Sequence, residues 1–394
     1  MKLSTRARMI EPFYAMSFAE RAAQLAASGK RVVRLSLGEP DFGAPPDVRD
    51  AMVAAMDGRP LTYTPALGLP ALREAIADFY QQRHGVHIPA SRVAITSGAS
   101  AALLLVLAAL VDAGDEVIMA DPSYPCNRQL VEAFGGRPIS VATSAASRFQ
   151  LDDAMVARAW SDRTVAVMIA SPSNPTGTSI PGHELEAICA RARERGAWRI
   201  VDEIYLYLSD HATDGRSPRS VLTFDPDAVV INSFSKYFSM TGWRLGWAIV
   251  PETLVDVVDR LATNFFLCAS TPAQLAALAA LTPRSLAVCE ERRLELLARR
   301  ELALDGLTRL GLPVTVTPDG AFYAYFDVSG TGLDSWSFCE RALDEALVSL
   351  TPGRDFGFVT ADTHVRLSYA SSREELTVGL ERLGAFLTSL RLRD

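Results

Sequence analysis

Lysine is the scarcest charged residue in this chain. Three of its 39 basic residues, Lys2, Lys30 and Lys236, are lysines and the other 36 are arginines. Where positive charge alone suffices the chain uses arginine, which stays protonated; a lysine amine can lose its proton when desolvated and attack a carbonyl. Cysteine is sparse too. Cys126, Cys189, Cys268, Cys289 and Cys339 are scattered with no C-x-x-C spacing, an odd, unclustered count that fits reduced thiols in a cytoplasm better than a disulfide framework or a zinc site. Basic runs of five or more are absent and net charge is −7, which argues against nucleic acid as a partner. The longest apolar run, Ala101 to Val111, is too short to span a bilayer and reads as a buried helix. The opening Met1-Lys2-Leu3-Ser4-Thr5-Arg6 leads into no apolar stretch of the signal-peptide type, so a cytoplasmic location with no membrane partner is the expectation.

Several catalytic signatures are missing as well. There is no G-x-S-x-G elbow and no G-x-G-x-x-G after a strand, and His183-Glu184 lacks the second histidine of a zincin helix, leaving no metal site in view. Ser233-x-x-Lys236 matches the S-x-x-K of serine β-lactamases, but their K-T-G partner is absent.

What is present describes an α/β protein. At 394 residues and 49% hydrophobic content the chain can hold a large domain with a smaller companion. An amphipathic helix over 11–29 ends at Gly29. A strand follows at 31–37, then the turn-rich Gly38-Glu39-Pro40-Asp41-Phe42 and helices at 46–57 and 69–84. From residue 92, short apolar strands at 93–96, 116–120, 138–142, 164–170, 198–202, 228–233 and 245–250 alternate with helices at 99–112, 125–135, 151–160 and 183–195. That alternation predicts a mostly parallel sheet flanked by helices, with ligands at the carboxyl ends of its strands. The chain is then helical to about 310. A smaller α+β unit closes it, with strands near 313–317, 322–327 and 364–369 and a helix at 372–391. The expected division is a large domain of residues 45–287 and a small domain built from 1–44 and 288–394.

The residues that stand out fall just after strands. Thr96-Ser97-Gly98-Ala99-Ser100 opens the apolar helix; it reads as an ordinary serine cap or as a cradle of backbone N–H groups for an anion. Ser233, Ser235 and Arg244 are placed to add hydroxyls and a guanidinium to that anion. Asp202 either caps the following turn or holds a pyridinium-type N–H. Asn174, in Ser173-Asn174-Pro175, is a favoured turn residue or an amide donor to a phenolate oxygen. Lys236, inside Ile231-Asn232-Ser233-Phe234-Ser235-Lys236 and followed by Thr241-Gly242-Trp243-Arg244, is a loop lysine or a nucleophile.

Taken together, these stretches resemble the aspartate aminotransferase family, the pyridoxal 5'-phosphate enzymes of fold type I. The matching pieces are Leu37-Gly38-Glu39-Pro40-Asp41-Phe42, Thr62-Tyr63-Thr64-Pro65, Thr96-Ser97-Gly98-Ala99, Asp121-Pro122-Ser123-Tyr124, Ser173-Asn174-Pro175-Thr176-Gly177, Asp202-Glu203-Ile204-Tyr205, Ser233-Phe234-Ser235-Lys236 with Gly242-Trp243-Arg244, and Val365-Arg366-Leu367-Ser368. They run in the family's order over nearly the whole chain.

The resemblance implies a role for each residue. Lys236 would hold the cofactor as an internal aldimine and then carry the proton from the substrate α-carbon. Asp202 would pair with the ring nitrogen, Asn174 and Tyr205 would bond the ring oxygen, and Tyr124 would stack on the ring. Ser97, Gly98, Ala99, Ser100, Ser233, Ser235 and Arg244 would surround the phosphate. Tyr63 would reach the phosphate of a neighbouring subunit, which implies a homodimer. Arg366 would clamp the substrate α-carboxylate, a contact worth on the order of 2–3 kcal/mol, with Asn174 and the Gly38 backbone beside it. The reaction implied is amino transfer between an L-amino acid and a 2-oxo acid such as 2-oxoglutarate or pyruvate; a lyase or cyclase of the same fold is the alternative. Aspartate-preferring relatives can carry a lysine where this chain has Ser100, and Pro12-Phe13-Tyr14 to Phe18 is aromatic, so a neutral, apolar or aromatic donor is expected.

Overall fold

The computed structural model describes residues 1–210 and 218–392. Its strands are β1 (Val33–Arg34), β2 (Val93–Thr96), β3 (Glu116–Asp121), β4 (Arg137–Ala142), β5 (Thr164–Ala170), β6 (Trp198–Asp202), β7 (Val229–Ser233), β8 (Gly246–Ile249), β9 (Tyr323–Asp327), β10 (Val348–Ser349), β11 (Thr351–Pro352) and β12 (His364–Ser368). Seven of them form the main sheet in the order β2-β8-β7-β6-β5-β3-β4. β8 alone runs antiparallel to its neighbours β2 and β7.

Why these stretches are strands follows from two-sided burial. Along β5, Ala166 and Met168 pack into one apolar cluster while Val167 and Ile169 pack into another; on β7, Val229 and Ile231 oppose Val230 in the same way. A strand covered on both faces has no polar side, so it reads as an unbroken apolar run. The helices Ala99–Leu110 and Glu252–Phe266 cover one face. The helices Pro70–His84 and Gly182–Glu194 contribute Leu72, Ile76, Leu185 and Ile188 to the other. Among the described residues no helix is long and apolar enough to cross a membrane.

The 27-residue helix Pro283–Arg309 runs through the position expected as the domain division and packs on the last helix, Arg373–Arg391. A three-stranded antiparallel sheet, β11-β12-β9, and the short parallel pair β1-β10 complete this part of the molecule.

Three stretches differ from expectation. The strand expected over 31–37 keeps ladder pairing only at Val33–Arg34; beyond it single bonds run from Leu35 N to Ser349 O and from Ser368 N to Leu35 O. No strand forms at 313–317. Pro313 and Pro318 bracket it and lack N–H groups, and one bond from Asp327 N to Pro313 O ties it to β9. Residues Ser335–Ala346, unassigned in the sequence, form a helix whose first turn is capped by Asp334 accepting from Ser337 N at 2.9 Å.

Candidate active site

The carboxyl ends of five strands converge on one cavity of about 240 Å³. Ser100 lies beyond β2, Tyr124 beyond β3, Asn174 beyond β5, Asp202 and Tyr205 at and beyond β6, and Ser233, Ser235 and Lys236 at and beyond β7; all of them line it. Gly38, Ala99, Arg244 and Arg366 line it as well. Of the residues singled out in the sequence, Ser97 is exposed outside the cavity and Tyr63 stands 79% exposed on the surface.

At one end the helix Ala99–Leu110 points its N-terminus at the cavity, and Gly98 brings no side chain to cap it. Gly98 sits at φ +84°, and a Cβ there would fall 2.5 Å from Arg244 Nη2. Glycine thus lets the guanidinium lie against the first turn. Arg244 is held by Nη1 donating to Thr241 O at 2.9 Å, and Ser233 and Ser235 put their hydroxyls 2.8 Å apart beside it. Free helical N–H groups, two hydroxyls and an arginine form a site for a dianion.

In the middle, Lys236 is half-buried with its amine enclosed, and its Nζ donates to Gly38 O at 2.6 Å. Burial pulls its ammonium down to about 8, with the charges of Arg366 and Arg244 adding to the effect and Glu39 and Asp202 opposing it. Asp202, at the foot of the cavity, is pushed up to about 6 by burial, against the N–H of Ile204 at 3.0 Å and the charge of Lys236. A buried carboxylate of this kind calls for a cationic partner.

At the other end Arg366, on β12, is buried, yet its three hydrogen bonds go to neutral oxygens. Nη1 donates to Asn174 Oδ1 at 2.7 Å, and Nη2 to Ser36 O at 2.5 Å and Thr351 Oγ1 at 3.2 Å. Its Nε has no partner among the described residues. This is a cation prepared for an anion that the chain itself does not supply.

Two supports hold the rim. The Asp355 carboxylate accepts from Tyr14 N at 2.9 Å and Ala15 N at 3.1 Å, capping the helix Tyr14–Ala27 and bringing Phe13 and Met16 to the cavity, where Phe13 meets the Tyr124 ring edge-on at 6.0 Å. Arg299, in the long helix, lies 2.7 Å from Asp41 and 2.8 Å from Ala370 O with its guanidinium over the Phe42 ring, which fixes the loop carrying Gly38.

The sequence matches the description "Aminotransferase class I and II" over residues 30–383. The chain belongs to the class I and II aminotransferases. It is 40% identical to a valine–pyruvate aminotransferase of Mycobacterium tuberculosis over 96% of this chain and 97% of that one. It is 37% identical to an aspartate/prephenate aminotransferase of Thermus thermophilus over 98% of each. The fold superposes with a TM-score of 0.93 on the crystal structure of an aminotransferase from Mycobacterium tuberculosis, covering 99% of this chain and 100% of that one at 40% identity. It superposes at 0.92 on the Thermus thermophilus aspartate aminotransferase with maleate, covering 98% and 100% at 35% identity. The chain thus has the fold type I architecture of a family that depends on pyridoxal phosphate, and its candidate site lies at the sheet's carboxyl edge.

Sequence reasoning missed four residues of the candidate site: Ser36 and Thr351, which orient Arg366; Asp355, which caps the N-terminal helix; and Tyr323, whose hydroxyl lies 2.8 Å from that of Tyr205. Their contacts span from 15 residues (Thr351 to Arg366) to 341 (Tyr14 to Asp355), and no local spacing marks them. Only the Asp334-x-x-Ser337 cap ahead of the missed helix carries a readable signal.

Proposed function

We propose that this aminotransferase binds pyridoxal 5'-phosphate at Lys236 and moves the amino group of a neutral, apolar L-amino acid to a 2-oxo acid such as pyruvate or 2-oxoglutarate. The observation that carries the donor class is the tally of cations. Lys236, Arg244 and Arg366 are the only positive side chains lining the cavity among the described residues, and each already has a task. None is left for a distal carboxylate, and Ser100 stands on the helix turn where a lysine would supply one. Phe13, Met16, Leu37 and Leu103 give the remaining wall its apolar character. The 40% identity to a valine–pyruvate aminotransferase supports this reading.

The residues present fit the cofactor. The uncapped helix start at Ala99, with Ser233, Ser235 and Arg244, would hold the phosphate; the Asp202 carboxylate would hold the ring N–H; and Tyr205 with the Asn174 amide would hold the ring oxygen. When bound, the cofactor supplies an electron-withdrawing ring that makes the substrate α-proton acidic. Arg366 binds the substrate α-carboxylate through its unpartnered N–H groups. Lys236, partly deprotonated at neutral pH because its amine is desolvated, takes the proton from the α-carbon. Phe13 and Met16 close the rim and keep water from the reacting carbon. The larger unit, residues 45–287, carries Lys236, and residues 1–44 with 288–394 carry Gly38 and Arg366. Two copies would pair through the exposed Leu61, Tyr63, Phe265 and Leu267, placing Tyr63 at the neighbouring site, in a cytoplasm that keeps the five cysteines free.

The test is a visible spectrum of the cofactor-loaded enzyme beside Lys236→Ala. The wild type should absorb in the visible and bleach with a neutral amino acid. The variant should remain folded, lack the lysine-linked band and have no activity; normal turnover by it would refute the assignment.

A further inference from the structure

Tyr323 opens β9 and is completely buried, yet it lines the cavity and touches three of its working parts. Its hydroxyl lies 2.8 Å from the Tyr205 hydroxyl, with the two rings crossed at 78°. That same hydroxyl packs on Gly38 so closely that a Cβ at Gly38 would collide with it. The Arg366 guanidinium lies over its ring, 4.4 Å from the centroid. β9 pairs with β12 from Tyr323↔Ser368 to Asp327↔His364, so the ring is anchored by a sheet rather than by a loop.

Two phenols in contact share two protons, and their order matters. If Tyr205 gives its proton to an anionic oxygen in the cavity, its own oxygen is left to accept, and Tyr323 is the donor within reach. A donor that itself accepts a hydrogen bond is polarised and becomes the stronger donor. The opposite order would point the Tyr205 proton away from the cavity. We propose that Tyr323 is a positioning residue that donates to Tyr205, thereby aiming and strengthening the Tyr205 O–H toward the cofactor ring oxygen. This rests on the cofactor reading given above. The Tyr323 hydroxyl acts on the cofactor through Tyr205, while its ring keeps Arg366 flat beside Asn174.

The test separates hydroxyl from ring. Tyr323→Phe keeps the ring under Arg366 and removes only the donor. The pH midpoint of the visible absorbance of the loaded enzyme should rise by about half a unit, as expected for weakening one hydrogen bond to an anionic oxygen. KM for the amino donor should stay within about twofold, since Arg366 keeps its three hydrogen bonds. Tyr205→Phe should shift the midpoint further in the same direction, and adding Tyr323→Phe to it should shift it no more, because the second hydroxyl acts through the first. Tyr325→Phe, which removes a buried hydroxyl bonded to Thr360 on the same strand, should leave the midpoint unchanged. Gly38→Ala, which crowds the Tyr323 hydroxyl from the other side, should raise it. An unchanged midpoint in Tyr323→Phe, or additive shifts in the double variant, overturns the proposal. A wild-type enzyme with no visible band after loading would instead remove the cofactor reading, and this proposal with it.

Discussion

Lys236 Nζ donates to the carbonyl oxygen of Gly38 at 2.6 Å, joining residues 198 positions apart in the chain. The bond holds the amine at the centre of the cavity, and burial lowers its pKa from the usual 10.5 to about 8. At pH 8 about half of such amines are neutral, against less than about 1% for an unperturbed lysine. Capture of a carbonyl by the cofactor-free protein should therefore speed up as pH rises from 7 to 9 and level off above that. Stopped-flow absorbance on adding pyridoxal phosphate measures it, and a rate still climbing steeply at pH 10 would mean that Lys236 is not perturbed.

Asp202 is the complementary case. Its carboxyl is pushed up to about 6 from 3.8, chiefly by burial. For an acid with a raised folded value, the associated stability is fully present below 3.8 and is lost as pH rises through about 6. At pH 8 the ionised side chain thus costs the cofactor-free fold on the order of 3 kcal/mol. Asp202→Asn should raise the Tm of the cofactor-free protein at pH 8 by a few degrees, a gain that fades toward pH 4, while weakening cofactor retention. Differential scanning calorimetry at the two pH values, with and without cofactor, checks both halves.

The main sheet could be read in the sequence because its strands are covered on both faces, so each appears as a short apolar run. The site could be read because Asn174, Asp202 and Lys236 follow such runs directly. What could not be read depends on contacts between distant segments. Tyr323 meets Tyr205 across 118 residues, and Arg366 meets Ser36 across 330. The failed strand at 313–317 shows the limit of a local pattern: Val314 and Val316 alternate as a strand would, but the prolines at both ends cannot donate to a ladder, and the stretch is tied to β9 by the bond from Asp327 N to Pro313 O.

Arg366→Ala should raise KM for every amino donor and oxo acid by a similar factor, roughly 30- to 150-fold for the loss of about 2–3 kcal/mol of charge-assisted bonding. Steady-state kinetics over a substrate panel measures this. An effect confined to dicarboxylates would mean that Arg366 reads the side chain rather than the α-carboxylate.

Ser100→Lys should bring dicarboxylates into range. The new ammonium sits in the first turn of a helix, where the dipole disfavours it by about 0.3–1 kcal/mol. A partly desolvated bond to a distal carboxylate is worth about 1.5–3 kcal/mol and wins. The kcat/KM ratio of aspartate to valine should rise by roughly tenfold; an unchanged ratio would place the side-chain compartment elsewhere.

The most direct measurement is a single half-reaction. The loaded enzyme is mixed with one amino acid and no acceptor, and the oxo acid and ammonia released are counted per chain. An aminotransferase for neutral donors should release one equivalent of oxo acid and no ammonia, and should do so faster with valine than with aspartate. Continued release of ammonia, or a faster reaction with aspartate, would contradict the account.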